Sequence, residues 1–104
     1  MILVLGILKD KDVKKMVAEI APLCQEVVVT MPNTERRFDK DLLRKEVMNY
    51  LPPGKVRTEE NVEGALARAL EIAHADDIVC VTGSLYTVGE ARSTLKLWRN
   101  MVSG

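Results

Sequence analysis

The 104-residue sequence lacks the two glycine-rich motifs that most often hold nucleotide phosphates. It contains no G-x-x-x-x-G-K-[ST] segment, so the chain has no P-loop for a nucleoside triphosphate. No G-x-G-x-x-G follows its first apolar segment, which argues against a self-contained dinucleotide site. We therefore expect part of any nucleotide site built on this chain to come from elsewhere.

The chain also has few of the side chains that most often carry catalysis or bind metal ions. Its single histidine, His74, stands beside Asp76 and Asp77 near a predicted helix end, where the helix dipole favours a surface histidine. The cysteines Cys24 and Cys80 have neither metal-ligand spacing nor the pattern of a disulfide framework. We expect no metal site and no catalytic residue in the isolated chain, and a reducing compartment.

Charge and hydropathy exclude two further classes of partner. Fifteen basic side chains balance fifteen acidic ones, whereas a nucleic-acid-binding domain usually carries a basic excess. No apolar run approaches the roughly 20 residues that cross a bilayer, and the first residues show no charged region of a signal peptide. We expect a cytoplasmic protein without a nucleic-acid or membrane partner.

Four apolar segments alternate with helical patterns. The predicted strands cover residues 2–7, 27–31, 55–58 and 78–82, and helical spacing follows each of them. Asp10 or Asp12 is available to cap the first helix, and Gly89 inside the last helix suggests close packing on the sheet. Such alternation predicts parallel strands. The expected fold is α/β: a three-layer, Rossmann-like doubly wound sheet of about four strands, mainly parallel, with helices on both faces and strand order 3-2-1-4.

This length and an apolar fraction of 47% predict a single domain over residues 1–104. In the predicted sheet strands one and four are neighbours and the strand order reverses between them, and ligands bind at such a switch point. Two turns meet there, at residues 9–12 and 83–86. Gly83-Ser84 leaves backbone N–H groups at a helix start that favour an anion, although glycine that eases a turn and serine that caps a helix explain the pattern equally well.

Two other charged segments have both a functional and a structural interpretation. Asp10, Lys11 and Asp12 suit an ammonium group or a phosphate, but acidic residues are also favoured in the first turn of any helix. Arg36 and Arg37 suit an anion clamp, but such a pair is also typical of a solvated loop.

Together these segments resemble a known family. Asp10-Lys11-Asp12 after the first strand, and Gly83-Ser84-Leu85-Tyr86 followed by Gly89-Glu90, resemble the D-K-D turn and the G-S-L-Y-x-x-G-E segment of the C-terminal domain of folylpolyglutamate and dihydrofolate synthases, which belong to the wider Mur ligase family. Thr30-Met31-Pro32-Asn33 with Arg36 is similar to the family's threonine–proline–arginine loop. The resemblance covers nearly the whole chain in order, and Lys9 is the position that departs from it.

The resemblance implies a specific chemistry. Such ligases use ATP and Mg²⁺ to turn a folate or dihydropteroate carboxylate into an acyl phosphate, which the amino group of L-glutamate attacks to form an amide. An N-terminal P-loop ATPase domain of the same polypeptide holds most of the nucleotide, the metal ion and the folate. On this basis we expect the chain to be a C-terminal glutamate ligase domain, detached from its ATPase domain and inactive alone. Its abrupt start at the first strand favours a cut at that point.

The resemblance also implies roles for eight residues at the domain junction. Ser84 and the backbone N–H groups near Gly83, Leu85 and Tyr86 are expected to hold the glutamate carboxylate. The turn formed by Asp10, Lys11 and Asp12 is expected to orient the incoming amine or contact the nucleotide, with Arg36 as a weaker supporting contact. The alternative is a free-standing Rossmann-like domain that binds a small ligand or docks a partner without catalysis.

Overall fold

One parallel four-stranded sheet organises the molecule. The computed structural model describes residues 1–103, and side chains as far as residue 99. The sheet has the order β3-β2-β1-β4 and every pairing is parallel, which confirms the predicted α/β fold and strand order. Its strands are β1 (Ile2–Leu5), β2 (Glu26–Val29), β3 (Val56–Thr58) and β4 (Val79–Thr82).

Four helices follow the strands in turn: α1 (Val13–Ile20), α2 (Lys40–Val47), α3 (Val62–Ile72) and α4 (Leu85–Ser103). Short polar side chains cap their N-terminal ends. Asp12 accepts a hydrogen bond from the backbone N–H of Lys15 at the start of α1, and Asp39 and Asn61 cap α2 and α3. No helix within residues 1–103 combines the length and the apolar character that a membrane span requires.

The helices cover both faces of the sheet. On one face, Leu3 and Val27 pack against residues of α1 and α2 in a single buried cluster. On the other face, Ile2, Val4 and Val28 pack against α3, and α4 lies beside α3. The continuous apolar sequence of β1 therefore reflects burial on both faces, as expected for an inner strand of a parallel sheet.

The edge strand β4 is less buried than the inner strands β1 and β2. Residues 78–82 form the most strand-like apolar run, yet all four residues of β4 are only half-buried and Ile78, just before it, is 67% exposed. The reason is position, because β4 has a neighbouring strand on one side only. What β4 contributes to the site is its carboxyl end, which delivers the chain into α4.

Candidate functional site

Two turns meet at the carboxyl end of the sheet, where the strand order reverses. β1 and β4 pair with Leu5 opposite Thr82, and the N–H of Gly6 donates to the carbonyl oxygen of Thr82 over 3.3 Å. The chain leaves β1 into residues 9–12 and leaves β4 into residues 83–86. The two predicted turns are therefore neighbours, and parallel sheets commonly bind ligands at such a point.

Gly83 makes the close approach of these turns possible. Its φ angle is +122°, a conformation that side chains with a Cβ atom rarely adopt. A Cβ atom built on Gly83 would lie 2.2 Å from the carbonyl oxygen of Gly6. The backbone turn therefore requires glycine at position 83, as in the structural interpretation of this residue.

Ser84 begins α4 as its N-cap. The Ser84 Oγ accepts a hydrogen bond from the N–H of Thr87 over 3.0 Å, and the N–H of Val88 donates to the Ser84 carbonyl oxygen over 3.1 Å. The first N–H groups of a helix have no intrahelical acceptor. Those of Leu85 and Tyr86 have no acceptor in the part of the chain that the structure describes, and both residues are exposed. They are donors available to an external anion.

A cavity of about 650 Å³ opens beside this helix start. We call it the Lys11 cavity; it is lined by Leu8, Lys11, Arg36, Ser84, Leu85 and Tyr86. Five of the eight predicted site residues are among them, all except Asp10, Asp12 and Gly83. The basic side chains in its lining are those of Lys11 and Arg36, and the α4 dipole adds positive potential. The arrangement suits a carboxylate or a phosphate.

Asp10 and Asp12, also predicted as site residues, do not line the Lys11 cavity. The Asp12 carboxylate is engaged as the cap of α1. The Asp10 carboxylate accepts a hydrogen bond from the Arg36 guanidinium, and this bond holds the pKa of Asp10 below its ordinary value. Asp10 thus reaches the cavity through Arg36, whose charge it partly offsets.

The loop that carries Arg36 is fastened to the first turn by its backbone. The N–H of Lys9 donates to the Arg36 carbonyl oxygen over 2.7 Å, and the N–H of Phe38 donates to the Ile7 carbonyl oxygen over 2.8 Å. These backbone bonds hold the loop that carries Arg36 beside the turn that carries Lys11, and both side chains line the Lys11 cavity.

A larger groove of about 980 Å³ lies on the other side of the α4 start and shares Leu85 and Tyr86 with the Lys11 cavity. We call it the Glu90 groove. Its charged lining residues are Glu60, Glu63, Glu90 and Arg37. The groove is therefore mainly acidic, so cavities of opposite charge flank one helix N-terminus.

Three residues that help to form the site were not among the predicted site residues. Leu8 lines the Lys11 cavity, and Gly6 and Thr87 join the two turns. The available signal for Thr87 was its spacing from Ser84, because a hydroxyl residue three positions after a serine N-cap lies in the first helical turn. Gly6, directly after an apolar strand, carried a similar signal for close backbone approach.

Two observations bear on further ligands at this end of the sheet. The Thr30 side chain, just beyond β2, is fully buried, and its hydroxyl has no hydrogen-bond partner within the described residues. Among those residues, no three His, Cys, Asp or Glu side chains lie together in a group that could hold a metal ion.

Comparisons with known proteins place the chain in a family. The model of the family described as "Mur ligase, glutamate ligase domain" matches residues 1–85. A probable bifunctional folylpolyglutamate synthase/dihydropteroate synthase of Halobacterium salinarum is 39% identical over 90 residues, which are 86% of this chain and 11% of that protein. A dihydrofolate synthase/folylpolyglutamate synthase of Mycobacterium tuberculosis is 34% identical over 103 residues, covering 86% of this chain and 21% of that protein.

A solved structure agrees with these relatives. The Mycobacterium tuberculosis folylpolyglutamate synthase complexed with ADP matches with a TM-score of 0.80 and 35% identity, over 88% of this chain and 22% of that one. The chain thus spans about a tenth to a fifth of the length of these curated relatives. On the family match over residues 1–85 and the agreement in fold, the chain belongs to the Mur ligase family, as a glutamate ligase domain.

Proposed function

We propose that this chain is the C-terminal domain of an ATP-dependent ligase that joins L-glutamate to a folate or dihydropteroate carboxylate. Both relatives are named as folylpolyglutamate synthases, and the Mycobacterium protein also as a dihydrofolate synthase. The chain itself matches the family model of a glutamate ligase domain. The observation that carries the proposal is the Lys11 cavity, where two cationic side chains and two free backbone N–H groups lie at the switch point of the sheet.

The cavity provides what a glutamate carboxylate needs. The guanidinium of Arg36 and the ammonium of Lys11 supply charge, and the N–H groups of Leu85 and Tyr86 supply hydrogen-bond donors at the positive end of α4. Charge-assisted hydrogen bonds of this type are shorter and stronger than neutral ones. We therefore assign the Lys11 cavity to the carboxylate of the incoming glutamate.

Asp10 and Asp12 take different parts in this proposal. Asp12 orients the first turn by capping α1. Asp10 holds the Arg36 guanidinium at the cavity through their ion pair and keeps one carboxylate oxygen for the amino group of glutamate. The D-K-D turn thus contributes one cation to the cavity, and its two carboxylates hold their neighbours in place.

The chain does not complete the reaction by itself in this proposal. ATP, with Mg²⁺, would supply the phosphoryl group that activates the folate carboxylate, and the donor set of the Lys11 cavity also fits a nucleotide phosphate. Since the sequence has no P-loop, an N-terminal P-loop ATPase domain must hold most of the nucleotide and the metal ion. Closure of the two domains would exclude water from the activated carboxylate. A cytoplasmic location follows from this assignment.

The test combines the chain with its ATPase domain, whether the two lie on one polypeptide or two, and measures ATP- and glutamate-dependent elongation of folate and dihydropteroate. Lys11→Ala should raise the KM for glutamate about tenfold, the effect of losing one charged contact. Lys14→Ala is the matched control, because Lys14 is an exposed lysine on the outside of α1. Equal KM values for glutamate in both variants would remove the Lys11 cavity from the proposal. Ligase activity of the chain without any ATPase domain would contradict the proposal that a separate domain holds the nucleotide.

A further inference from the structure

We infer that Thr87 is the positioning residue of the glutamate site, because it locks the start of α4 to the end of β1 and fixes the direction of the Ser84 hydroxyl. The inference rests on the proposed function, in which the start of α4 binds the glutamate carboxylate. Thr87 touches neither cavity and is fully buried. It acts through its neighbours.

The hydroxyl protons of Thr87 and Ser84 can be assigned from their partners. Thr87 Oγ1 lies 2.8 Å from the carbonyl oxygen of Gly6, which can only accept, so Thr87 donates its single proton there. The oxygen atoms of Ser84 and Thr87 are 2.9 Å apart. Since the Thr87 proton is already used, Ser84 must be the donor in this second bond.

This assignment determines what Ser84 can offer to a ligand. Its hydroxyl donates to Thr87 and accepts from the N–H of Thr87, so only an acceptor lone pair is left. A carboxylate oxygen is also an acceptor and gains nothing from that lone pair. The donors that face the glutamate carboxylate are then the N–H groups of Leu85 and Tyr86, and Ser84 and Thr87 hold these groups in position.

Close packing around Thr87 restricts the position of its hydroxyl group. A Cβ atom on Gly6 would lie 2.8 Å from Thr87 Oγ1, and one on Gly83 would lie 2.2 Å from the Gly6 carbonyl oxygen. Two glycines thus bring the turns together, and the Thr87 hydroxyl supplies a side-chain bond that spans 81 positions of sequence between them. Loss of this bond should let α4 shift relative to Lys11, because the turn that carries Lys11 leaves from the Gly6 end of β1.

The inference can be tested with a pair of variants in the same ligase, assayed together with its ATPase domain. Thr87→Val keeps the shape of the side chain and removes its hydroxyl, whereas Thr87→Ser keeps the hydroxyl. We expect Thr87→Val to raise the KM for glutamate about tenfold, with kcat and the KM for ATP changed less than about twofold. Thr87→Ser should remain within about twofold of the wild type in all three constants.

A purely structural role would give a different result. Loss of folded enzyme lowers the apparent kcat for every substrate and leaves the KM for glutamate unchanged. That outcome, or equal KM values for Thr87→Val and Thr87→Ser, would overturn the inference while leaving the proposed ligase activity intact.

Hydrogen exchange of the 104-residue chain separates failure of the inference from failure of the proposed function. Thr87→Val should speed the exchange of amides in residues 84–88, and Thr87→Ser should not. If the exchange changes as expected but the wild type shows no glutamate-dependent activity with its ATPase domain, the proposed function fails and the role in glutamate binding fails with it. If the activity is present and the exchange of Thr87→Val is unchanged, the positioning inference alone is wrong.

Discussion

The backbone N–H of Asn33 donates to the Glu90 carboxylate over 2.8 Å, across 57 positions of sequence. This bond ties the loop after β2 to the second turn of α4. The same loop is held to the turn after β1, at residues 9–12, by the bond between the Lys9 N–H and the Arg36 carbonyl oxygen. Arg36 therefore sits on a loop that is fastened to the turn at residues 9–12 and to α4.

Loss of the Glu90 carboxylate should loosen this loop. We expect Glu90→Ala to lower the free energy of unfolding by about 1 kcal/mol, less than a typical hydrogen bond to a charged group contributes, because the bond is exposed. Glu90→Gln should retain most of the stability, since its amide oxygen can still accept from Asn33. Urea denaturation measures both, with Glu19→Ala, at an exposed position of α1, as the matched control. A loss as large for Glu19→Ala would mean that the bond to Asn33 contributes nothing.

The ion pair between Asp10 and Arg36 predicts a shifted titration. The hydrogen bond from Arg36 is the main cause that holds the pKa of Asp10 below its ordinary value. Arg36→Gln should therefore raise the pKa of Asp10 toward that value, as followed by the carboxyl carbon chemical shift of Asp10 in NMR. Arg37→Gln is the matched control, because the Arg37 guanidinium donates to the Thr34 carbonyl oxygen and not to Asp10.

The sign of the linked stability effect follows from the same shift. A carboxyl group with a lowered pKa in the folded state stabilises the fold at pH values above its unfolded pKa, and this contribution is lost as the pH falls through the folded value. Both side chains are about half exposed, so the effect on stability should be small and should weaken with added salt. An Asp10 titration that is identical with and without Arg36 would contradict the pairing in solution.

The strand order and the meeting of the two turns could be predicted from the sequence, because continuous apolar runs and intervening helical patterns leave few ways to build a parallel sheet. The hydrogen-bond partners of the polar side chains could not be predicted in this way. Asp10 and Asp12 were equally available as caps, and only the structure separates them: Asp12 caps α1 and Asp10 pairs with Arg36, 26 positions away. Pairings of this range depend on how loops lie in space, which local patterns do not encode.

The predicted strand order placed residues 78–82 at an edge of the sheet, but their continuous apolar pattern alone does not show that this strand is only half-buried. Gly89 is a second example. It was expected to permit close packing on the sheet, but a Cβ atom there would meet nothing within 4 Å. That expectation was wrong, because Gly89 lines the Glu90 groove on the open side of α4.

Alanine substitutions at Gly83 and Gly89 should change the free energy of unfolding in opposite directions. Gly83→Ala should lower the free energy of unfolding by about 3 kcal/mol or more, because it combines a positive φ with a Cβ position 2.2 Å from the Gly6 carbonyl oxygen. Gly89→Ala should raise it by about 1 kcal/mol, the difference in helix propensity at a site with free space. Gly54→Ala is the neutral control, since it too meets nothing within 4 Å. Chemical denaturation of the three variants checks the order, and a tolerated Gly83→Ala would contradict the close approach of the two turns.

Two buried threonines should respond in opposite directions to the same substitution. Thr30 and Thr87 are both fully buried, but the Thr30 hydroxyl has no partner among the described residues, whereas the Thr87 hydroxyl bonds to Gly6 and Ser84. Replacing a buried hydroxyl that has no partner by a methyl group removes a desolvation cost, so Thr30→Val should stabilise the chain by about 1 kcal/mol.

Thr87→Val removes a donor that is in use and leaves the Gly6 carbonyl oxygen without its side-chain partner, so it should destabilise by about 1–3 kcal/mol. Thermal unfolding of the two variants under one set of conditions makes the comparison, and a shift of about 4–8 °C per kcal/mol is expected for a domain of this size. A stabilised Thr87→Val variant would contradict the proton assignment at the start of α4. A destabilised Thr30→Val variant would mean that the Thr30 hydroxyl has a partner in solution, at the carboxyl end of β2 beside the proposed site.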